Sequence, residues 1–168
     1  MEEPSSHRLP TGSANVKSFE PGPLPRPQLP FRYLPDIALA DVAFEAESGS
    51  VDGLFEACAQ AVSDIMVDPA TLRVGTAREV GVTSDDLDTL LYDFLTQLIV
   101  LKDVDSLLFR EASVRVAPDQ RSLVATMRGE PIDRERHGLR NDVKAVTMHM
   151  FGVKREAGLW KATVVLDI

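Results

Sequence analysis

The sequence predicts an α+β domain in which two amphipathic helices pack on a mostly antiparallel sheet. Two stretches carry apolar residues at helical spacing, and the stretch before them alternates with a period of two. After the second helix, β-rich runs are separated only by short turn signals, as in a meander of hairpins. At 168 residues, 44% of them hydrophobic, the chain is long enough for one domain with a real core and short for two.

The first boundary is compositional. Seven of the eleven prolines fall within residues 1–30, which end in PGPLPRPQLP. Such a segment buries too little apolar surface to offset the entropy of ordering it. Residues 1–32 are therefore expected to form a disordered or polyproline-like tail, and residues 33–168 the folded domain. The tail lacks a strong basic-flanked PxxP signature for a docking peptide.

Within the domain, Ile37 to Ala46 alternates so that Ala40, Val42, Phe44 and Ala46 share one face while Asp41 and Glu45 share the other, a half-buried strand. Ser50 then precedes Val51, Leu54, Phe55, Cys58, Val62, Ile65 and Met66 at three- and four-residue spacing, with Asp52 placed to suit the helix dipole. This helix should end before Asp68-Pro69. A short strand is expected around Arg73 to Val80. The second helix starts within TSDDLDTLLYDFLTQLIVL, where Thr83 or Ser84 can cap and Leu87, Leu90, Leu91, Phe94, Leu95 and Leu98 form the buried stripe. Strands follow at Leu108 to Val116, Ser122 to Arg128, Val143 to Lys154 and Leu159 to the end.

Composition and motifs exclude several functions. The net charge of −8, with no basic run, argues against direct strong binding of nucleic acid, whose affinity comes mainly from Lys and Arg neutralising phosphates. No stretch has the roughly 18 to 20 unbroken apolar residues of a membrane span, and MEEPSSHRLP does not resemble a secretory signal. A cytoplasmic protein is expected. Its single cysteine, Cys58, lies among apolar helix residues and reads as a small buried hydrophobe. No Ser/His/Asp, Cys/His or paired-glutamate arrangement stands out, so the motifs indicate no enzyme. Within GEPIDRERHGLRNDVKAVTMHMF, His137 reads as a surface loop histidine, and Lys144 and His149 as entering a strand.

The last strand alternates too: Trp160, Ala162, Val164, Leu166 and Ile168 against Lys161, Thr163, Val165 and Asp167. If the first and last strands lie close, Asp41, Asp167 and the terminal carboxylate of Ile168 converge on the side away from the apolar core. Clustered carboxylates repel unless protonated or bridged by a cation, and oxygen-only ligands favour a hard ion. Spacing alone leaves open that these acids are solvated and never meet.

The order ADVAF, DLDTLLYDFLTQLIVL, GEPIDRERH, VKAVTMHMF and WKATVVLDI resembles the archease family over about residues 35–168. The resemblance implies the family's strand-helix-strand-strand module and a small non-enzymatic activator of RNA ligases of the RtcB class. Such ligases join tRNA halves and repair broken RNA using GTP and Mn²⁺. The activator promotes ligase guanylylation and multiple turnover in tRNA splicing or RNA repair, and reaches RNA only through the ligase. By the same resemblance, Asp41, Asp167 and Ile168 match the family's metal-holding residues, for Ca²⁺ or else Mg²⁺ or Mn²⁺. Lys144 matches the lysine of the family's VKAVT-like strand; with His149 and His137 it makes up the set expected to act toward the partner. One departure is that Ala38-Leu39-Ala40-Asp41 stands where family members commonly read histidine-threonine-alanine-aspartate. Hydrogen bonds supplied by that histidine and threonine are lost, which would weaken metal affinity or potency. A metal-independent interaction module and, less favoured, a metal-dependent hydrolase are the alternatives.

Overall fold

A computed structural model describes residues 29–35 and 41–168. Residues 1–28 of the expected tail, and residues 36–40 with the expected start of the first strand, lie outside the described residues. The chain runs β1 (Phe31–Leu34), β2 (Asp41–Ser48), α1 (Val51–Met66), a 3₁₀ turn (Pro69–Thr71), β3 (Thr76–Thr83), α2 (Leu87–Asp105), β4 (Leu107–Val116), β5 (Ser122–Pro131), β6 (Ala145–Glu156) and β7 (Leu159–Asp167).

The α+β class is as the sequence predicts, but the strands form two antiparallel sheets. One has the order β1-β2-β7-β6 and the other β3-β5-β4. The β6–β7 hairpin joins the early strands, while the β4–β5 hairpin takes β3. Each helix packs against strands of both sheets: α1 against β4, β2 and β7, and α2 against β6, β3, β4 and β5. A helix flanked in this way needs more than a narrow stripe. In α1, Ala57, Ala59, Ala61 and Ser63 are accordingly buried along with Leu54, Phe55, Cys58 and Val62.

Local chemistry sets the element ends. The Ser50 side chain accepts from the Gly53 N–H at 3.0 Å and starts α1, as its position suggested. The start of α2 departs from expectation: its cap is Asp86, which accepts from the Thr89 N–H at 2.8 Å. Thr83 is held in β3 opposite Ser122, and the Ser84 N–H is bonded to the Arg121 carbonyl, so neither can turn into a helix. Strand β3 starts later than Arg73, whose N–H is taken by the Glu130 carboxylate at 2.9 Å. Strand β1 includes Phe31 and Arg32, which the proline boundary left in the tail. Phe31 is buried edge-on against Phe44, their ring centroids 6.4 Å apart.

Two edge strands are clamped from the helices. The N–H groups of Val114 and Val116 on β4 donate to Glu56 and Asp52 of α1 at 2.9 and 2.8 Å, and that of Val153 on β6 donates to Asp88 of α2 at 3.1 Å. Main-chain donors that would otherwise be open to another chain are thus used internally. Between β4 and β5 the backbones press together at Gly129, where a Cβ would meet the Leu108 carbonyl oxygen at 1.8 Å.

Candidate metal centre

Strand β2 pairs with β7 in a register that sets Asp41 directly opposite Asp167, followed by Val42 opposite Leu166, Ala43 opposite Val165 and Phe44 opposite Val164. Phe44, Val164 and Leu166 belong to the core, so alternation turns the two aspartates to the other face. Residues directly opposite on an antiparallel pair have Cβ atoms about 4.5–5.5 Å apart, close enough for like charges to destabilise the pair. Both aspartates are half-buried. Among the described residues no Lys or Arg forms a salt bridge with either. The face is not simply a solvated one: Ala43 and Val165, next along it, are 1% and 0% exposed yet lie outside the main core cluster.

The other side of β7 is occupied by β6, with Ala145 opposite Asp167 and Thr147 opposite Val165. The Lys144 N–H donates to the Asp167 carbonyl at 2.8 Å, fixing the backbone of the last strand where the aspartate leaves it. The loop before it caps α1. The Arg140 N–H donates to Met66 O at 2.8 Å and the Asn141 N–H to Ile65 O at 3.1 Å, satisfying carbonyls left open at the helix end. Lys144 is thereby delivered with its backbone beside Asp167 and its side chain exposed.

No group of three Asp, Glu, His or Cys side chains that could hold a metal occurs among the described residues. The third acidic donor expected from the sequence, the Ile168 carboxylate, lies one peptide unit beyond Asp167. Ile168 itself packs against the core. The donor chemistry fits a hard divalent ion: two opposed carboxylates without a cationic partner among the described residues, and oxygen ligands only. A further oxygen on this face is uncommitted, since Thr147 Oγ1 is buried without a hydrogen-bond partner among the described residues. No spacing rule could have singled out Thr147, because its burial depends on the pairing of three strands. Ala38 and Leu39, the departures from the family pattern, lie outside the described residues.

The two histidines do not join this group. His149 is exposed on β6, in an excursion where the register with β7 breaks between Thr147 and Gly152. His137, read from sequence as a surface loop residue, is instead buried, with its side chain fully enclosed. Its Nδ1 accepts from the Asp133 N–H at 2.9 Å, so Nε2 carries the hydrogen donated to Glu130 Oε1 at 2.6 Å. Arg136 bonds the other Glu130 oxygen at 2.7 Å. The Arg136 guanidinium, the Arg73 N–H and His137, in that order, hold the Glu130 carboxyl well below the usual carboxylate range. This is a structural tie between β5, the 3₁₀ turn and the following loop. Sequence reading missed Glu130 and Arg136 because GEPIDRERH folds back on itself, which mixed charge in a loop does not announce. Cys58 is wholly buried, and burial pushes its thiol up, away from reactivity. No helix among the described residues is long and apolar enough to cross a membrane.

The model of the archease protein family matches residues 31–168. The protein archease of Methanothermobacter thermautotrophicus is 37% identical over 131 residues, spanning 77% of this chain and 93% of its own. That of Pyrococcus abyssi is 35% identical over 132 residues, with the same shares of 77% and 93%. The solution structure of a Methanobacterium thermoautotrophicum protein superposes with a TM-score of 0.70 at 33% identity, covering 84% of this chain and 100% of that one. The crystal structure of an archease from Thermotoga maritima, described as a possible chaperone, shares the fold with a TM-score of 0.55 at 18% identity, covering 80% of this chain and 96% of that one.

Proposed function

This chain belongs to the archease family, and from that premise we propose that it is a non-enzymatic activator of an RtcB-class RNA ligase in the cytoplasm, promoting ligase guanylylation and multiple turnover in tRNA splicing or RNA repair. RNA is met only through the ligase, in keeping with the net charge of −8. The observation that carries the reading is the register of Asp41 opposite Asp167. The two carboxylates and that of Ile168 form the site for a divalent ion, Ca²⁺ first and Mg²⁺ or Mn²⁺ next. Bound there, the ion supplies positive charge that offsets the repulsion between the acids. Asp167 is steadied by the Lys144 N–H, and the Lys144 side chain faces outward for the partner.

Adding the protein to its cognate ligase with GTP, Mn²⁺ and cleaved RNA should raise covalent GMP attachment and the number of turnovers, while the protein alone ligates nothing. Ligase kinetics unchanged over a wide range of added protein would sink the reading. The metal is tested separately by melting. An ion at about a hundred times its dissociation constant stabilises the fold by roughly 2.7 kcal/mol, or about 5 to 11 °C. Appending residues after Ile168 should remove most of that shift while leaving every side chain in place. A melting curve indifferent to Ca²⁺, Mg²⁺, Mn²⁺ and chelator would point to an interaction module that works without metal.

A further inference from the structure

We propose that the excursion of β6 from Met148 to Phe151 is the grip by which this chain holds its partner, presenting the Met148 and Met150 side chains to an apolar cleft rimmed by carboxylates; the proposal rests on the activator reading above.

The geometry of β6 sets this segment apart. Thr147 pairs with Val165 and Gly152 with Thr163, so four residues of β6, Met148 to Phe151, stand against the single Val164 of β7. Met150 has φ of +54°, a left-handed conformation that costs a non-glycine residue energy. Met148 and Met150 are 65% and 54% exposed, so the strained backbone holds two apolar side chains in water. The pedestal beneath them is firm. Phe151 packs edge-on against Tyr92 of α2, their centroids 5.6 Å apart, and the Val153 N–H is bonded to Asp88 at 3.1 Å. An anchored excursion with both thioethers outward is pre-organised for a partner and spends little ordering entropy on binding. Methionine, unbranched and polarisable, adapts to an apolar cleft better than the branched side chains of a core.

The chemistry of the partner follows from charge. From Val143 to Arg155 there is no acid, in a chain that carries 26 Asp and Glu; Lys144, His149 and Arg155 are exposed, while Lys154 is paired with Glu156 at 2.9 Å. The rim of the grip is thus cationic and suits carboxylates around the receiving cleft. Because the excursion interrupts an edge strand, a partner cannot simply add a strand there and must be recognised by side chains. Ala145, opposite Asp167, is three residues from Met148, about 10 Å along the strand. The methionines therefore lie along the edge strand that flanks the proposed metal centre, within reach of a partner large enough to cover both, and the ligase of the activator reading is the occupant proposed.

The test measures affinity for the cognate ligase by titration calorimetry without RNA, using the full chain and the variants Met148→Glu, Met150→Glu and, as a control on the outer surface of α2, Val104→Glu. Met148→Glu and Met150→Glu should each weaken binding at least tenfold. Their melting temperatures and metal-induced shifts should match the parent, and Val104→Glu should bind as the parent does. Undiminished affinity in both methionine variants, with the parent still stimulating the ligase, would overturn the grip and leave the activator reading standing. Equal weakening by Val104→Glu would overturn it in favour of a general charge effect. A parent that dimerises alone, with Met148→Glu abolishing the dimer, would reassign the surface to a second copy. A parent that neither binds nor stimulates the ligase would remove the activator reading, and the grip with it.

Discussion

Asp41 faces Asp167 without a cation among the described residues to separate the charges, so one substitution should change stability in opposite senses with and without metal. In chelator, Asp41→Asn removes a like-charge pair and should leave the melting temperature unchanged or raise it, by the equivalent of about 0.2 to 1 kcal/mol. With saturating divalent ion the same variant should melt below the parent, because the ion-induced shift is gone. Calorimetry under the two conditions reads both signs. Glu130 gives a pH test. Its folded carboxyl is held below its ordinary value of 4.5, so its contribution is fully present above that pH and is lost as pH falls below it. Glu130→Gln should destabilise at neutral pH, and its stability should fall less steeply than the parent's below pH 4.5. The face on which each aspartate lies was legible in sequence, because alternation along a strand needs only the next few residues. Their pairing was not, because it depends on β2 and β7 meeting across the whole length of the domain. The fate of His137 was not, since its burial depends on Glu130 and Arg136 closing around it, and a charged loop gives no sign of folding inward.

At the scale of elements, the clamps on β4 make a sharp test. Glu56→Ala should leave the Val114 N–H without its partner and cost about 1 to 3 kcal/mol by chemical denaturation, with amide exchange faster at Val114 than at Val116, which keeps Asp52. Gly129→Ala places a methyl group against the Leu108 carbonyl oxygen, backbone that cannot swing aside. It should destabilise by about 1 to 3 kcal/mol or more, seen as a lower melting temperature. The helices were readable because their periods run over many residues and Ser50 is an unambiguous cap. The start of α2 was misplaced because Thr83 and Ser84 are good capping residues in isolation, and only their pairing with the β5 side of the sheet disqualifies them. Strand β1 escaped notice because four residues carry little pattern and Phe31 stands beside a run of prolines. Hairpins told which neighbours pair, but not which hairpins share a sheet.

For the folded domain as a whole, helices that each touch strands of both sheets couple the two sheets at equilibrium in the complete chain. Trp160, the only tryptophan, lies on β7. Its fluorescence and the helical circular dichroism should therefore report one coincident transition in denaturant. Separate midpoints would show that the sheets come apart independently. The sheet order β1-β2-β7-β6 also has a bearing on how the protein is made. The chain is synthesised from its N-terminus, so β2 emerges early and its partner β7 emerges after every other element. Meanwhile the other sheet can close on the helices, since β3, β4 and β5 are near neighbours in sequence. The edge of β2 that will receive β7 has open main-chain donors and acceptors throughout that interval, the condition under which nascent chains pair with the wrong strand. A chain cut short before Leu159 and released from the ribosome should keep the β3-β5-β4 sheet protected from exchange and leave β2 unprotected, and the two facing aspartates meet only once β7 has joined.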